Sequence, residues 1–177
     1  MWKSLTLALA CLAGTTTAFA GTTSQYKASV EQLSRKILTV ADAEKDDALE
    51  IVFVQNSIYS ESAIVFGIAA DALDTLRVMK ARNMLPHTQR MRFTTSVPTK
   101  DEYGNMASRR MLSVTFLTRD LMKANYTEGS GLLPGELLNL YEKSWNLMPQ
   151  SQAAIAKYCQ EQIGKISHRY CASEAPL

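Results

Sequence analysis

Two stretches near the middle of the chain alternate apolar and polar residues closely enough to make them strands. In the first, Met91, Phe93, Thr95 and Val97 stand against Arg92, Thr94 and Ser96; in the second, Leu112, Val114 and Phe116 stand against Met111, Ser113, Thr115 and Leu117. A period of two sends successive side chains to opposite faces of a strand, so each run has one face fit for a core. Between them lies Pro98–Asn105 (PTKDEYGN), where Gly104 supplies the positive φ that a tight loop of this kind needs. The pattern predicts an antiparallel hairpin over residues 90–117. An isolated hairpin is marginal in water, so its apolar face must be covered by helices or by further strands.

The rest of the chain reads mainly as helix. Tyr26 to Val40 carries Val30, Leu33, Ile37 and Leu38 at helical spacing, opposite Lys27, Glu31, Arg35 and Lys36. The charged stretch Ala41–Asp47 is a solvated helix face or a break, and Leu49–Val54 (LEIVFV) is a short strand or a buried helix face. Ser60 or Ser62 can cap a helix running to about Asn83, with Val65, Ala69, Ala72, Leu73, Leu76 and Met79 as its stripe and Pro86 beyond it. Thr118 can cap a short helix through Asn125, and helices are expected over Pro134–Leu147 and from Pro149 or Ser151 to about Ser167. The expected fold is therefore α+β: an antiparallel hairpin, with a further strand possible near residues 49–54, packed against four to five helices. The 177 residues suit one domain, and no internal repeat is visible.

Residues 1–20 read as a secretory signal peptide. Lys3 precedes the apolar stretch Leu5–Gly14, and Ala18-Phe19-Ala20 presents the small residues that a signal peptidase accepts before Gly21. The apolar stretch is shorter than the roughly 20 residues a membrane span needs. Lipoprotein processing at Cys11 is the alternative, but it would set the bulky Leu9 immediately before Ala10. The expectation is a domain of residues 21–177, periplasmic or secreted, without a transmembrane anchor in the mature chain.

Removal of that leader takes Cys11 with it and leaves Cys159 and Cys171, an even count that predicts a disulfide in an oxidising compartment. On one unbroken helix the two would stand ~18 Å apart at 1.5 Å per residue. A disulfide needs Cα atoms within ~7 Å, so the helix must end or bend between them, near Gly164 or after His168.

Little in the chain carries recognisable chemistry. With 19 basic against 17 acidic residues and a formal charge of +2, nothing argues for nucleic acid as a partner. His87 and His168 are the only histidines, no HExxH or CxxC occurs, and no cofactor or metal is expected. Ser24-Gln25-Tyr26-Lys27 resembles the S-x-x-K acylation motif of penicillin-binding enzymes, without the K-T-G that accompanies it there. Glu61-Ser62, with Leu147-Met148-Pro149, resembles fragments of the lysozyme-like lytic transglycosylases over a handful of residues. That resemblance implies a cell-wall hydrolase with Glu61 as general acid.

The hairpin loop is the stronger candidate, because loops presented by a rigid scaffold carry recognition. Asp101, Glu102, Tyr103 and Asn105 set carboxylates, an aromatic ring and an amide within five residues. Arg90, Arg92, Arg109 and Arg110 could gather as a basic patch on the same hairpin or serve as charges that protect an edge. Asn125-Tyr126-Thr127 forms a glycosylation sequon, meaningful only in a eukaryotic secretory pathway. The reading that follows is an exported binding or assembly component of the envelope, such as an accessory subunit of a secretion or conjugation apparatus. Its expected partner is another envelope protein.

Overall fold

A computed structural model describes residues 23–43, 46–55, 60–129, 131–161 and 166–175. Residues 1–20, expected to be a signal peptide, and the expected cleavage pair Ala20 and Gly21 lie outside the described residues, as does Gly164. The class is α+β, but the sheet is larger than a hairpin. Five strands lie in the order β1-β2-β3-β4-β5: β1 Ile37–Ala43, β2 Ala48–Val54, β3 Arg90–Lys100, β4 Met106–Leu117 and β5 Tyr141–Asn146. The described residues also form six helices: α1 Thr23–Glu31, α2 Glu61–Ala81, α3 Thr118–Lys123, α4 Pro134–Leu138, α5 Pro149–Gln160 and α6 His168–Glu174.

The expected hairpin forms the centre. β3 and β4 pair antiparallel from Arg90↔Leu117 to Lys100↔Met106. On one side β3 pairs parallel with β2, a connection that requires the crossover supplied by α2. Ser60 caps that helix, its Oγ accepting from the Ala63 N–H at 3.2 Å. The helix stops where Asn83 takes φ 54° and the Met84 N–H donates back to the Met79 carbonyl at 2.7 Å, a left-handed C-terminal closure.

Two expected helices are shorter than the sequence suggests, and each gives way to an edge strand. The helix expected over Tyr26–Val40 ends at Glu31; Ile37 and Leu38 belong to β1, which pairs antiparallel with β2. The β-branched run beginning at Ile37 favours this, and Glu31 Oε1 accepts the Val40 N–H at 3.0 Å, bracing the new strand on the helix. The helix expected over Pro134–Leu147 lasts only through Leu138, and Tyr141–Asn146 instead pairs with the free edge of β4. Asn139 stops it, with its side chain donating to the Ile166 carbonyl at 2.7 Å and accepting the Arg169 N–H at 3.0 Å.

One face of the sheet carries Leu49, Ile51, Phe53, Met91, Phe93, Leu112, Val114 and Phe116, all buried. Phe53 stacks on Phe93 with centroids 6.0 Å apart, and Phe93 meets Phe116 edge-on at 5.8 Å. The helices pack on this face, with α2 contacting α4, α5 and β3 and supplying Val65, Ile68, Ala72 and Leu76 to the same core.

Cys159 and Cys171 form the expected disulfide, with sulfurs 2.08 Å apart and Cα atoms 5.4 Å apart. The break that permits it falls earlier than expected: α5 ends at Gln160, and His168 opens a second helix that carries Cys171.

Candidate functional site

The β3–β4 hairpin is longer than the sheet that supports it. β2 accompanies β3 only as far as Val54↔Ser96, and β5 accompanies β4 only as far as Leu112↔Asn146. Past those points, among the described residues, Val97–Lys100 and Met106–Arg109 pair only with each other as a two-stranded arm. A bulge between Thr95 and Ser96 marks where the arm leaves the sheet, as bulges do when they bend and re-aim a strand. Burial changes at the same place: Met106 to Arg110 are exposed, whereas Met111 to Phe116 are buried. Pro98, expected in the loop, lies in β3, where an arm without a neighbour on that side tolerates its missing N–H.

The four loop residues divide into two pairs with different tasks. Asp101 Oδ1 accepts the Tyr103 N–H at 2.9 Å and the Asn105 N–H at 2.8 Å, and Oδ2 accepts the Asn105 side-chain amide at 3.0 Å. The Asn105 side-chain bond, then backbone N–H donors, holds the Asp101 carboxyl below its ordinary range. Gly104 takes φ 83°, the left-handed conformation expected of it. Asp101 and Asn105 thus build the loop, while Glu102 and Tyr103 are presented by it. Tyr103 is 82% exposed, and Met106, which the alternation pattern left out, is 63% exposed beside it. Methionine at the first strand position carries no recognition signal in sequence; only the length of the arm reveals it.

The basic set does not gather as a patch. Arg90 holds Glu142 through two bonds of 2.7 and 3.0 Å, Arg92 pairs with Asp46, and Arg110 pairs with Glu50 at 3.1 Å. Arg92 also lies over the Trp145 ring at 3.8 Å, with Lys143 over the same ring at 4.5 Å. These groups occupy the sheet face opposite the core. There the Thr94 hydroxyl donates to Glu50 Oε1 at 2.7 Å, which leaves Ser113 as the donor in the 2.5 Å Ser113–Thr94 contact. Thr94, Ser113 and Thr115 are nevertheless buried, roofed by long polar side chains rather than by a helix. The donors and acceptors of this network bind one another, so it serves as a polar second layer. Sequence reasoning missed it because Trp145 and Lys143 belong to the segment read as helix.

Glu61 is exposed on the first turn of α2, outside the enclosure that a general acid needs. Ser24 and Lys27 lie on α1, but Lys27 Nζ donates to Asp42 at 2.6 Å rather than serving a hydroxyl. His87 is exposed between α2 and β3, and His168 begins α6 rather than ending a helix. Among the described residues no group of His, Cys, Asp and Glu could hold a metal ion, and no helix is long and apolar enough to cross a membrane.

The other end of the hairpin borders a cleft of about 800 Å³. Leu117, Leu132, Leu140 and Tyr141 supply its apolar wall, and Lys123 and Arg169 line it together with Asp120, Glu136 and Glu142. Comparison of the chain with known protein families, with curated proteins and with solved structures finds no match.

Proposed function

We propose that the protein is exported to the cell envelope and acts there as a binding or assembly component that recognises its partner through the β3–β4 arm. The observation that supports this reading is the arm itself. It runs beyond its supporting sheet, its loop is braced by Asp101, and it ends in an exposed tyrosine and methionine. An exposed tyrosine loses little conformational entropy on docking, and a flexible methionine beside it adapts to fill an apolar pocket. Export supports the reading from the other side, through the small-residue pair Ala18 and Ala20 before Gly21 and the cysteine pair left in the mature chain.

Replacing Tyr103 and Met106 with Ala tests the arm, because neither takes part in the loop's hydrogen bonds through its side chain. Partner recovered from envelope extract should fall sharply, with thermal stability changed by less than ~0.5 kcal/mol. Full recovery by the double variant would retire the arm as the recognition element. N-terminal sequencing of the exported protein should read from Gly21; a start at Cys11 or at Met1 would overturn the assigned processing.

A further inference from the structure

We propose that the partner of the arm is a second copy of this chain, whose cleft receives Tyr103 and Met106. This rests on the arm being the recognition element and names what it recognises. The arm and the cleft lie at opposite poles of one ribbon. Met106 opens β4 at the tip and Leu117 closes it at the cleft. Eleven steps of about 3.3 Å make the strand between them roughly 36 Å long. A chain therefore cannot fill its own cleft with its own arm. Each molecule thus carries a projection at one end of the ribbon and a recess at the other.

The chemistry of the two ends matches. A cleft of about 800 Å³ has room for a tyrosine and a methionine side chain, and its wall of Leu117, Leu132, Leu140 and Tyr141 is apolar. Two of its three carboxylates are paired with cations of the same chain, Glu142 with Arg90 at 2.7 and 3.0 Å and Asp120 with Arg119 at 3.6 Å, while Glu136 accepts the Leu133 N–H at 2.8 Å. The cations are less committed. Lys123 forms no ion pair among the described residues, and Arg169 Nη1 donates to the neutral carbonyl of Asn139 at 3.2 Å. At the arm tip, Asp101 is spent on the loop, whereas Glu102 is exposed and forms no ion pair among the described residues. Seating Tyr103 in the apolar wall sets Glu102 against Lys123 and Arg169. This contact is heterologous, with different surfaces on the two copies. Two molecules lying antiparallel can satisfy it twice as a closed dimer, and a staggered arrangement extends it as a chain.

The test measures the mass of the purified protein against concentration by sedimentation or light scattering. Self-association is expected. It should weaken at least tenfold in Tyr103→Ala/Met106→Ala and again in Lys123→Glu/Arg169→Glu. Mixing the two variants should restore a complex, because one intact arm and one intact cleft remain between them. Adding Glu102→Lys to the cleft variant should recover association by exchanging the charges. A protein that stays monomeric to high micromolar concentration would overturn the proposal, as would association that both variants retain. A photo-crosslinker at position 103 separates this from the broader reading. A crosslink in the envelope to a different protein, with the purified chain monomeric, would overturn self-recognition and leave the arm as the recognition element. The absence of any arm crosslink would remove both.

Discussion

Ser167 shows how one hydroxyl can hold separate elements together. It donates to the Gly135 carbonyl at 2.7 Å, and its single proton is thereby used, so the 2.6 Å contact with Tyr158 has the tyrosine as donor. All of this is buried between α4, α5 and the start of α6. A side chain at Gly135 would itself meet Ser167 Oγ at 3.1 Å and the Tyr158 hydroxyl at 3.3 Å, so the glycine is what lets the helix backbone come so close. Ser167→Ala leaves a buried hydroxyl and a buried carbonyl unpaired and should cost about 2 kcal/mol. That is a fall of roughly 4–8 °C in melting temperature for a domain of this size. A double-mutant cycle with Tyr158→Phe isolates the bond: strict additivity would show that it contributes nothing. Asp101 gives a residue-scale prediction of another kind. Its carboxyl is held low, chiefly by the Asn105 side chain, so its contribution to loop order is complete above the ordinary carboxylate value near ~3.9. That contribution disappears as pH falls through its own lower value. Amide exchange at Tyr103 and Asn105 should be unaffected by titration of Asp101 from neutral pH down to about 4 and accelerate below it. Asp101→Ala should show the loosened loop already at neutral pH. Protection unchanged in that variant would contradict the role given to the carboxylate.

At the scale of elements, what was legible followed from pattern strength. β3 and β4 alternate because one face meets the aromatic core and the other a polar layer; that contrast is written in Phe93 beside Thr94 and in Val114 beside Ser113. α2 was legible because Ser60, the apolar stripe and Asn83 bound it at both ends. The edge strands were not. Tyr141 and Trp145 are four residues apart, the spacing of a helix turn, and in β5 a register shift at Thr115/Phe116 breaks the alternation that would have disclosed a strand. Ile37 and Leu38 fit a helical stripe equally well, and the free edge of β2 decides between the two outcomes. Within the candidate site, Asp101, Glu102, Tyr103 and Asn105 could be named from composition. Their division into frame and presented surface needed the hydrogen bonds. The disulfide was legible from count and spacing, and it yields an element-scale prediction. Cys159 lies in the last turn of α5 and Cys171 sits within α6, so reduction should release α6 before the sheet yields. By loop-closure entropy the loss is about 3 kcal/mol. In a domain of this size that corresponds to a fall of roughly 6–12 °C in melting temperature. Hydrogen exchange should rise first over residues 167–174 while β3 and β4 stay protected. Uniform loss of protection on reduction would show that the bond holds the whole domain rather than its last helix.

Over the whole molecule, the sheet's two faces give the fold different sensitivities. The polar face is closed by ion pairs that water can partly replace, whereas the core face is closed by helices, several of them anchored through tyrosines. Tyr26 of α1 donates to the Met84 carbonyl at 2.7 Å, and Tyr126, after α3, donates to the Leu121 carbonyl at 2.9 Å. Tyr158 of α5 bonds Ser167, and Tyr170 of α6 packs edge-on against Tyr141 with centroids 4.9 Å apart. Burial raises the hydroxyl pKa in each of these four, Tyr26 to about 12. The unfolded chain loses these protons near pH ~10, while the folded chain keeps them. Stability from this source is therefore complete below pH ~10 and declines as pH rises through the folded values. Each tyrosine that stays protonated only in the folded state steepens the loss by about 1.4 kcal/mol per pH unit. Because the four tie down α1, the segment after α3, α5 and α6, their ionisation removes the helical cover of the core at several points together. Denaturant midpoints should therefore fall steeply above pH ~10, with tyrosinate absorbance from these residues appearing in the same step as the loss of helix. Tyr26→Phe should make the decline shallower by one proton's share, since its hydroxyl no longer titrates. Tyrosinate absorbance complete while the helices remain intact would show that these hydroxyls reach solvent without unfolding, contrary to the burial that sets their protonation.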